Sequence, residues 1–434
     1  MKNFLNNFFQ LDSNKTNIKT EIIAGITTFL TMAYIIFANP SIMAQSGMDK
    51  DAIFVGTCIA AAIACFVMGF FANWPIGLAP GMGLNVFFTY TVVGKMGYPW
   101  EVALGAVFIA GILFFVMSVT NLRSWMISSI PMNLRIAMGA GVGLFIGIIG
   151  LEAGGIILFN VEDAKYPLLG NFSKADTLLA ALGFLIIAAL SIRKIPGAII
   201  IGILIITLIA IFADLIQFKG LISTPPDIRP TLMKLDILGA LDLGMLTVIM
   251  SFLFVNLFDT TGTLVGVATR ANLLDENGEA KTLDKALKAD SGASIFGTFF
   301  GCSPVTSYVE SSAGVEAGGR TGLTAVVVGI LFILAMFLSP LASIIPAYAT
   351  AGALIYVAIL MLGGMEKLNW SHVTELLPAL VILIMIPLTF SIADGIALGF
   401  LSYVVLKITN GEIKSIKSAA WFLTIIFISK FIFL

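Results

Sequence analysis

Charge is what this chain has least of. Of its 434 residues, 11% are Asp, Glu, Lys or Arg, and 59% are hydrophobic, with a mean hydropathy of +1.02. A soluble globular protein carries roughly 25% charged residues. So few charges cannot cover a water-facing body, which excludes a soluble fold and leaves a polytopic membrane protein. The net charge of −1 argues against nucleic acid as a partner, which calls for a basic surface. Cysteine and histidine are scarce too. Cys58, Cys65 and Cys302 form no Cys-x-x-Cys, and the single His372 cannot complete a metal cluster. Cys58 and Cys65 read as helix packing, and Cys302 as a small packing residue beside a broken segment. Without a Ser/His/Asp set, a metal cluster or a phosphate loop, nothing supports an enzyme, and no cofactor is expected. No cleavable leader is expected either: residues 1–21 are polar and lack an apolar core before a small-residue site. The first span is therefore itself the membrane-entry signal.

What the chain has in abundance is apolar runs. A membrane helix needs about 20 apolar residues. That template gives 21–38, 52–72, 75–92, 99–119, 135–151, 176–191 and 195–215 in the first half. In the second it gives 244–263, 290–301, 303–317, 321–341, 345–363, 373–389 and 392–408. Segments 75–92 and 303–317 are short and interrupted by Gly and Pro. An apolar tail at 417–434 reads as either an extra span or an interfacial helix. With the N-terminus inside and alternating spans, sixteen Lys and Arg fall on the inner side. Seven fall outside (Lys50, Lys95, Lys165, Lys174, Lys219, Arg229 and Lys234), and Lys430 is left uncounted. This bias predicts a cytoplasmic N-terminus in the inner (cytoplasmic) membrane. Dropping either short segment alone would invert the later loops and weaken it.

Two stretches resemble each other: AGVGLFIGIIGLEAGG (140–155) and AGALIYVAILMLGG (351–364). The broken segments also correspond. GLAPGMGLNVFFTY places Asn85 five residues after Pro80, and SPVTSYVESSAGV places Glu310 six after Pro304. An odd number of spans per half forces the halves into opposite orientations, and paired Gly/Pro-broken segments in inverted halves point to a transporter's site. The expected organisation is a seven-span repeat over 1–217, a connector over 218–243, and a second repeat with the apolar tail over 244–434. The polar stretch 264–289 reads as a solvated cytoplasmic linker containing a short surface helix, LDKALKAD.

Carboxylates within spans are expensive and normally mark a transport route. Asn256 and Asp259 are three apart, so they share a helix face, with Thr260 and Thr261 following. The bland alternative makes Asp259 an interfacial cap. Glu310 lies where a half-helix would begin, adding an acceptor beside unpaired N–H groups. Glu316 reads as an interfacial ion pair with Arg320. Asn85 brings an amide with two donors and an acceptor. Phe87, Phe88 and Tyr90 either stack on a flat ring or simply pack. Together these residues suit a small, flat, uncharged molecule with N–H donors and carbonyl acceptors. Burying such groups unpartnered costs roughly 2–7 kcal/mol each. A carboxylate at low dielectric also has a reason to bind a proton, so Asp259 and Glu310 are the proton-coupling candidates.

At these residues the chain resembles the nucleobase permeases of the xanthine/uracil permease superfamily, and more closely their adenine–guanine–hypoxanthine branch. The likeness covers almost the whole chain and rests on AGITTFLTMAYIIFANP (24–40), GLAPGMGLNVFFTY (77–90), NLFDTTGTLVG (256–266), TSYVESSAGVEAGGRTGLTAV (306–326) and SIADGIALGF (391–400). The resemblance implies an all-α polytopic fold of about fourteen transmembrane segments in two inverted seven-span repeats. It also implies core and gate domains with short strands in spans three and ten. It further implies a purine held between spans one, three, eight and ten, proton symport, and movement of core against gate. Carried over by motif, Asn85, Asp259 and Glu310 are its functional polar residues. Asn256 stands where the branch commonly has an acid, which leaves open whether 256 or 259 touches the base. With Thr260 and Phe88 added, these are the expected substrate contacts. The expected function is import of guanine and hypoxanthine by alternating access, in a lipid bilayer, with a homodimer left open. The alternatives are an adenine-preferring or sodium-driven permease, or an anion transporter of the related sulfate/bicarbonate architecture.

Overall fold

The computed structural model describes residues 2–120, 122, 130–159, 166–218, 220–271, 273 and 282–433. Arg123, Lys165, Lys219 and Lys281 of the charge tally lie outside them, as do residues 274–281 of the polar linker. The described residues are mostly helical. In chain order the first half forms α1 (Lys2–Phe9), α2 (Ile18–Met32), α3 (Ile35–Met43), α4 (Lys50–Val67), strand β1 (Leu78–Pro80), α5 (Met82–Val86, continued by a wider-turned helix to Lys95) and α6 (Trp100–Val119). Then come α7 (Met132–Ala153), the short strands β2 (Ile157–Leu158) and β3 (Leu168–Leu169), α8 (Ala175–Ile192) and α9 (Ala198–Phe212). The second half forms α10 (Leu243–Arg270), α11 (Leu283–Phe299), strand β4 (Val305–Ser307), α12 (Ser311–Glu316), α13 (Gly322–Ala335), α14 (Ser339–Ile344) and α15 (Ala347–Leu362). It ends with α16 (Val373–Thr389), α17 (Ile392–Thr409) and α18 (Ser418–Phe433), the last taking up the apolar tail.

Among the described residues nine helices are long and apolar enough to cross a membrane, and α9 and α16 are apolar but shorter. Polar side chains start several of them. Asn17 accepts from Thr20 N at 3.0 Å to open α2, and Asp49 accepts from Ala52 N at 2.8 Å to open α4. Such caps satisfy N–H groups that the helix itself leaves unpaired.

Three features position the interior. First, the two interrupted segments contain β1 and β4, which pair antiparallel with Leu78 opposite Ser307, Ala79 opposite Thr306 and Pro80 opposite Val305. Second, the first span breaks between Met32 and Ile35, beside that strand pair. Third, α7, α8, α9, α15, α16 and α17 pack mainly on one another, while α2, α4, α6 and α10 to α13 surround the strands.

Two expectations need correction. The stretch 264–289 is not simply a linker: α10 continues to Arg270, and α11 begins at Leu283 rather than 290. The first turns of α11 bury Ala286, Leu287, Ala289 and Asp290, so the run LDKALKAD is packed, with Asp284 and Lys285 exposed on its other face. Glu316 pairs with Arg270, at 3.3 Å, and not with Arg320. The Arg320 guanidinium turns back onto the carbonyls of Val315 and Gly319.

Candidate functional site

Pro80 and Gly81 end β1, and Pro304 precedes β4, so neither segment can continue as helix through the middle of the molecule. Proline supplies no N–H and glycine favours turns. The freed backbone groups find each other instead. Gly81 N donates to Pro304 O at 2.9 Å, and Tyr308 N donates to Gly77 O at 3.0 Å. Non-helical backbone at membrane depth is tolerated when it is buried and paired in this way or lines a cavity. Gly81 also allows close approach, since a Cβ there would meet Thr306 Cγ2 at 2.8 Å.

A cavity of about 70 Å³ opens beside the crossed strands, lined among others by Tyr34, Gly83, Asp259, Thr263, Tyr308 and Glu310. Val357, Leu360 and Met361 of α15 form its apolar wall. Asp259 and Glu310 are both half-buried. They reach the cavity from different elements, Asp259 from the middle of α10 and Glu310 from the residue before α12. Tyr34 Oη donates to Glu310 Oε1 at 3.0 Å, and Tyr308 Oη donates to Pro80 O at 2.5 Å. Asp259 has no hydrogen-bond partner among the described residues. The arrangement offers two carboxylate acceptors, a threonine hydroxyl and a greasy wall. It is suited to binding and releasing a small polar molecule.

Behind β4 lies a second polar cluster. Asn256 Nδ2 donates to Ser294 Oγ at 3.0 Å, and Ser294 Oγ donates to Val305 O at 2.6 Å. Thr260 Oγ1 stands 2.9 Å from Asp290 Oδ1, 2.8 Å from Thr306 Oγ1 and 3.4 Å from Asn256 Oδ1. With one proton to give, it donates to the carboxylate and accepts from Thr306. Ser307 Oγ donates to Asp290 Oδ2 at 2.6 Å. These bonds tie β4 to α10 and α11, so the cavity face of β4 is backed by fully buried Asp290.

The structure thus brings Asp259 and Glu310 to one cavity. It does not bring Asn85, Asn256, Thr260 or Phe88 to the cavity surface. Asn256 and Thr260 lie in the buried cluster, Phe88 is fully buried, and buried Asn85 accepts from Ser303 Oγ. Sequence reasoning missed Tyr34, Thr263, Tyr308 and Asp290. Thr263 was within reach, because it follows Asp259 by one helical turn on the same face. Asp290 was hidden at the boundary wrongly drawn at 290. Among the described residues no three His, Cys, Asp or Glu side chains converge to hold a metal ion.

Comparison with known proteins agrees with a transporter. The chain is 46% identical to the adenine permease AdeP of Escherichia coli over 99% of its own length and 96% of the relative's. It is 42% identical to the guanine/hypoxanthine permease PbuO of Bacillus subtilis over 94% of its length and 96% of that protein. Among solved structures, the transmembrane domain of the cyanobacterial bicarbonate transporter BicA superposes with a TM-score of 0.63, covering 88% of this chain and 96% of that one at 16% identity. At that identity the likeness shows the fold alone. Residues 19–398 match the permease-family model of the xanthine/uracil permeases. A multi-pass membrane transporter and not an enzyme, the chain belongs to the xanthine/uracil permease family.

Proposed function

We propose that the protein is a secondary active transporter that imports purine nucleobases by proton symport with alternating access. The observation that carries this reading is that Asp259 and Glu310 meet at one cavity beside the crossed strands. A purine ring offers N–H groups that such acceptors would satisfy, and a flat apolar body for Val357, Leu360 and Met361. Glu310 and Asp259 are the proposed ligand and proton groups. Asn256 and Thr260 brace β4 from behind, Asn85 holds Ser303, and Phe88 is packed in the core. The names of the relatives divide between adenine and guanine/hypoxanthine, so the reading extends to all three bases. An anion as cargo, despite the fold shared with a bicarbonate transporter, is disfavoured by two carboxylates in the cavity.

Local symmetry supports two inverted seven-span halves. Adding 227 to residue numbers of the first broken segment sends Gly77 to Pro304 and Gly81 to Tyr308, which exchanges the two bracketing hydrogen bonds. The same shift maps the pair Leu78–Ser307 onto Pro80–Val305. It also places Gly83 where the second half has Glu310, so the acid has a bare backbone as its counterpart. The pairs Asn39–Thr57 (2.7 Å) and Asn256–Ser294 (3.0 Å) join corresponding helices of the two halves.

Uptake of labelled adenine, guanine, hypoxanthine and uracil into proteoliposomes, under proton or sodium gradients, tests the reading. Purine uptake driven by the proton gradient is expected, and Glu310→Gln abolishes it with the protein still inserted. Uptake by wild type of none of the purines, or full uptake by Glu310→Gln, overturns it.

A further inference from the structure

We infer that Tyr34 is the positioning residue for Glu310, fixing the orientation of the carboxylate that receives the purine; this rests on the purine reading above. Glu310 sits just before α12 with helical backbone angles, and its side chain caps nothing on that helix. The carboxylate accepts from its own backbone N–H but, unlike an ordinary acid at a helix start, from none of the N–H groups of the helix that follows. Among the described residues its one side-chain partner is the Tyr34 hydroxyl, 3.0 Å from Oε1. A carboxylate offers about four acceptor positions on two oxygens, so the bonds from Tyr34 and from its own N–H leave positions for a ligand.

Tyr34 is well placed to hold a direction. It is 1% exposed, and it stands in the break between α2 and α3, where Ile36 N and Phe37 N bond back to Ala33 O and Tyr34 O. Thr31 Oγ1, one turn earlier, lies 3.3 Å from the carbonyl of Glu310 itself. The interrupted span thus addresses both the backbone and the side chain of the acid. The other cavity tyrosine does a different job: Tyr308 gives its proton to Pro80 O and ties strand to strand. A glutamate has three rotatable side-chain bonds, and a bond to its own N–H alone still lets the carboxylate sample several directions. One charge-assisted bond from a buried ring selects among them before the ligand arrives, which lowers the ordering cost of binding.

The test is purine counterflow in proteoliposomes, which needs no ion gradient, together with thermal shifts of the purified protein. Tyr34→Phe keeps the ring and its packing and removes only the hydroxyl. Its half-saturation is expected to rise roughly tenfold, the worth of one charge-assisted hydrogen bond, with a maximal exchange rate within about twofold of wild type. Across a panel of bases and analogues lacking single N–H groups, its loss of ligand-induced stabilisation follows the same order as that of Glu310→Gln. In a Glu310→Asp background, whose carboxylate is one methylene short of the phenol, adding Tyr34→Phe changes the half-saturation by less than about twofold. An unchanged half-saturation in Tyr34→Phe, an equal loss for every base, or full additivity with Glu310→Asp overturns the inference while the purine reading stands. A wild type that exchanges no purine overturns the purine reading, and this inference with it.

Discussion

Glu21 and Asp290 are as buried as any residue in the chain, and the protein itself supplies their hydrogen-bond donors. Glu21, on the first turn of α2, accepts from Arg320 N (2.9 Å), Thr321 N (3.3 Å), Thr324 N (3.2 Å) and Thr324 Oγ1 (2.6 Å). It thereby closes the N-terminus of α13, where helical N–H groups otherwise lack partners. Glu21→Ala leaves the N–H groups of Arg320 and Thr321 unpaired, while Thr324 N keeps the Thr321 carbonyl at 3.2 Å. The loss should cost about 2–3 kcal/mol, read as a fall of roughly 3 °C in the Tm of the detergent-solubilised protein. Glu21→Gln keeps an acceptor oxygen and should lose less. A Glu21→Ala protein that melts with wild type would show that water satisfies this end. The contrast with Asp259 and Glu310 separates structural from functional acids: the first pair is saturated by the fold, and the second faces a cavity. Composition identifies a costly acid without saying which sort it is. Asp259 and Glu310 were legible because apolar or Gly/Pro-rich sequence surrounds them. Glu21 follows Lys15 and Lys19, and Asp290 follows Lys285 and Lys288, so both read as the edges of spans.

The elements with the plainest sequence signal are those whose geometry proline or glycine dictates. Pro80, Gly81 and Pro304 announced the interruptions where β1 and β4 form. The start of α11 was missed because Asp284, Lys285 and Lys288 dominate its composition, while the small face of Ala286, Ala289, Ala293 and Gly297 is what packs. The Ala33–Tyr34 break carries neither proline nor glycine and left no trace. The resembling stretches at 140–155 and 351–364 prove to be α7 and α15 lying against each other. A Cβ on Gly143 would come within 2.7 Å of Met361 Cβ, on Gly147 within 3.0 Å of Ala358 Cβ, and on Gly150 within 2.9 Å of Leu354 Cβ. As one series rises the other falls, so the helices run antiparallel. Gly150→Leu must push α15 away, an overpacking cost of about 1–3 kcal/mol or more, and should sharply reduce the yield of monodisperse protein. Gly139→Leu on the same helix meets nothing within 4 Å and should purify as wild type does. Size-exclusion profiles of the two variants decide the point: equal yields would mean that α7 and α15 are not held this closely.

At the scale of the whole molecule, the strand-bearing body and the body built on α7 to α9 and α15 to α17 touch unequally at their two ends. β1 and β4 are antiparallel, so the helices that follow them leave in opposite directions, one towards Lys95 and the other towards Glu316 and Arg270. At the Lys95 end the bodies are joined. Thr91 Oγ1 donates to Phe390 O at 2.6 Å, Lys95 Nζ donates to Thr389 O at 2.8 Å, and Lys95 stands 3.7 Å from Asp394. Both carbonyls belong to the end of α16, where a cation and a hydroxyl replace the missing helical donors. Phe390 holds this turn in a left-handed conformation, with its ring set edge-on to Phe145 and Phe159. Towards Arg270, by contrast, Gly262 and Gly266 of α10 have open space beside them. The two bodies are thus hydrogen-bonded at the Lys95 end, while α10 presents two glycines with open space towards Arg270. Lys95 is half exposed, and pairs of that kind contribute little energy, so the contact is expected to act as a seal that opens and not as a lock. If transport moves one body against the other, the seal must part in every cycle. Lys95→Cys combined with Asp394→Cys, bridged by a short bifunctional thiol reagent, should halt purine uptake, whereas each single variant treated alike should retain most of it. A reducible bridge should restore uptake when cleaved. Cys58, Cys65 and Cys302 are buried and should stay unmodified, so the native sequence serves as background. Undiminished uptake by a fully bridged protein would mean that the bodies do not separate at this end, and that the substrate passes through a fixed frame.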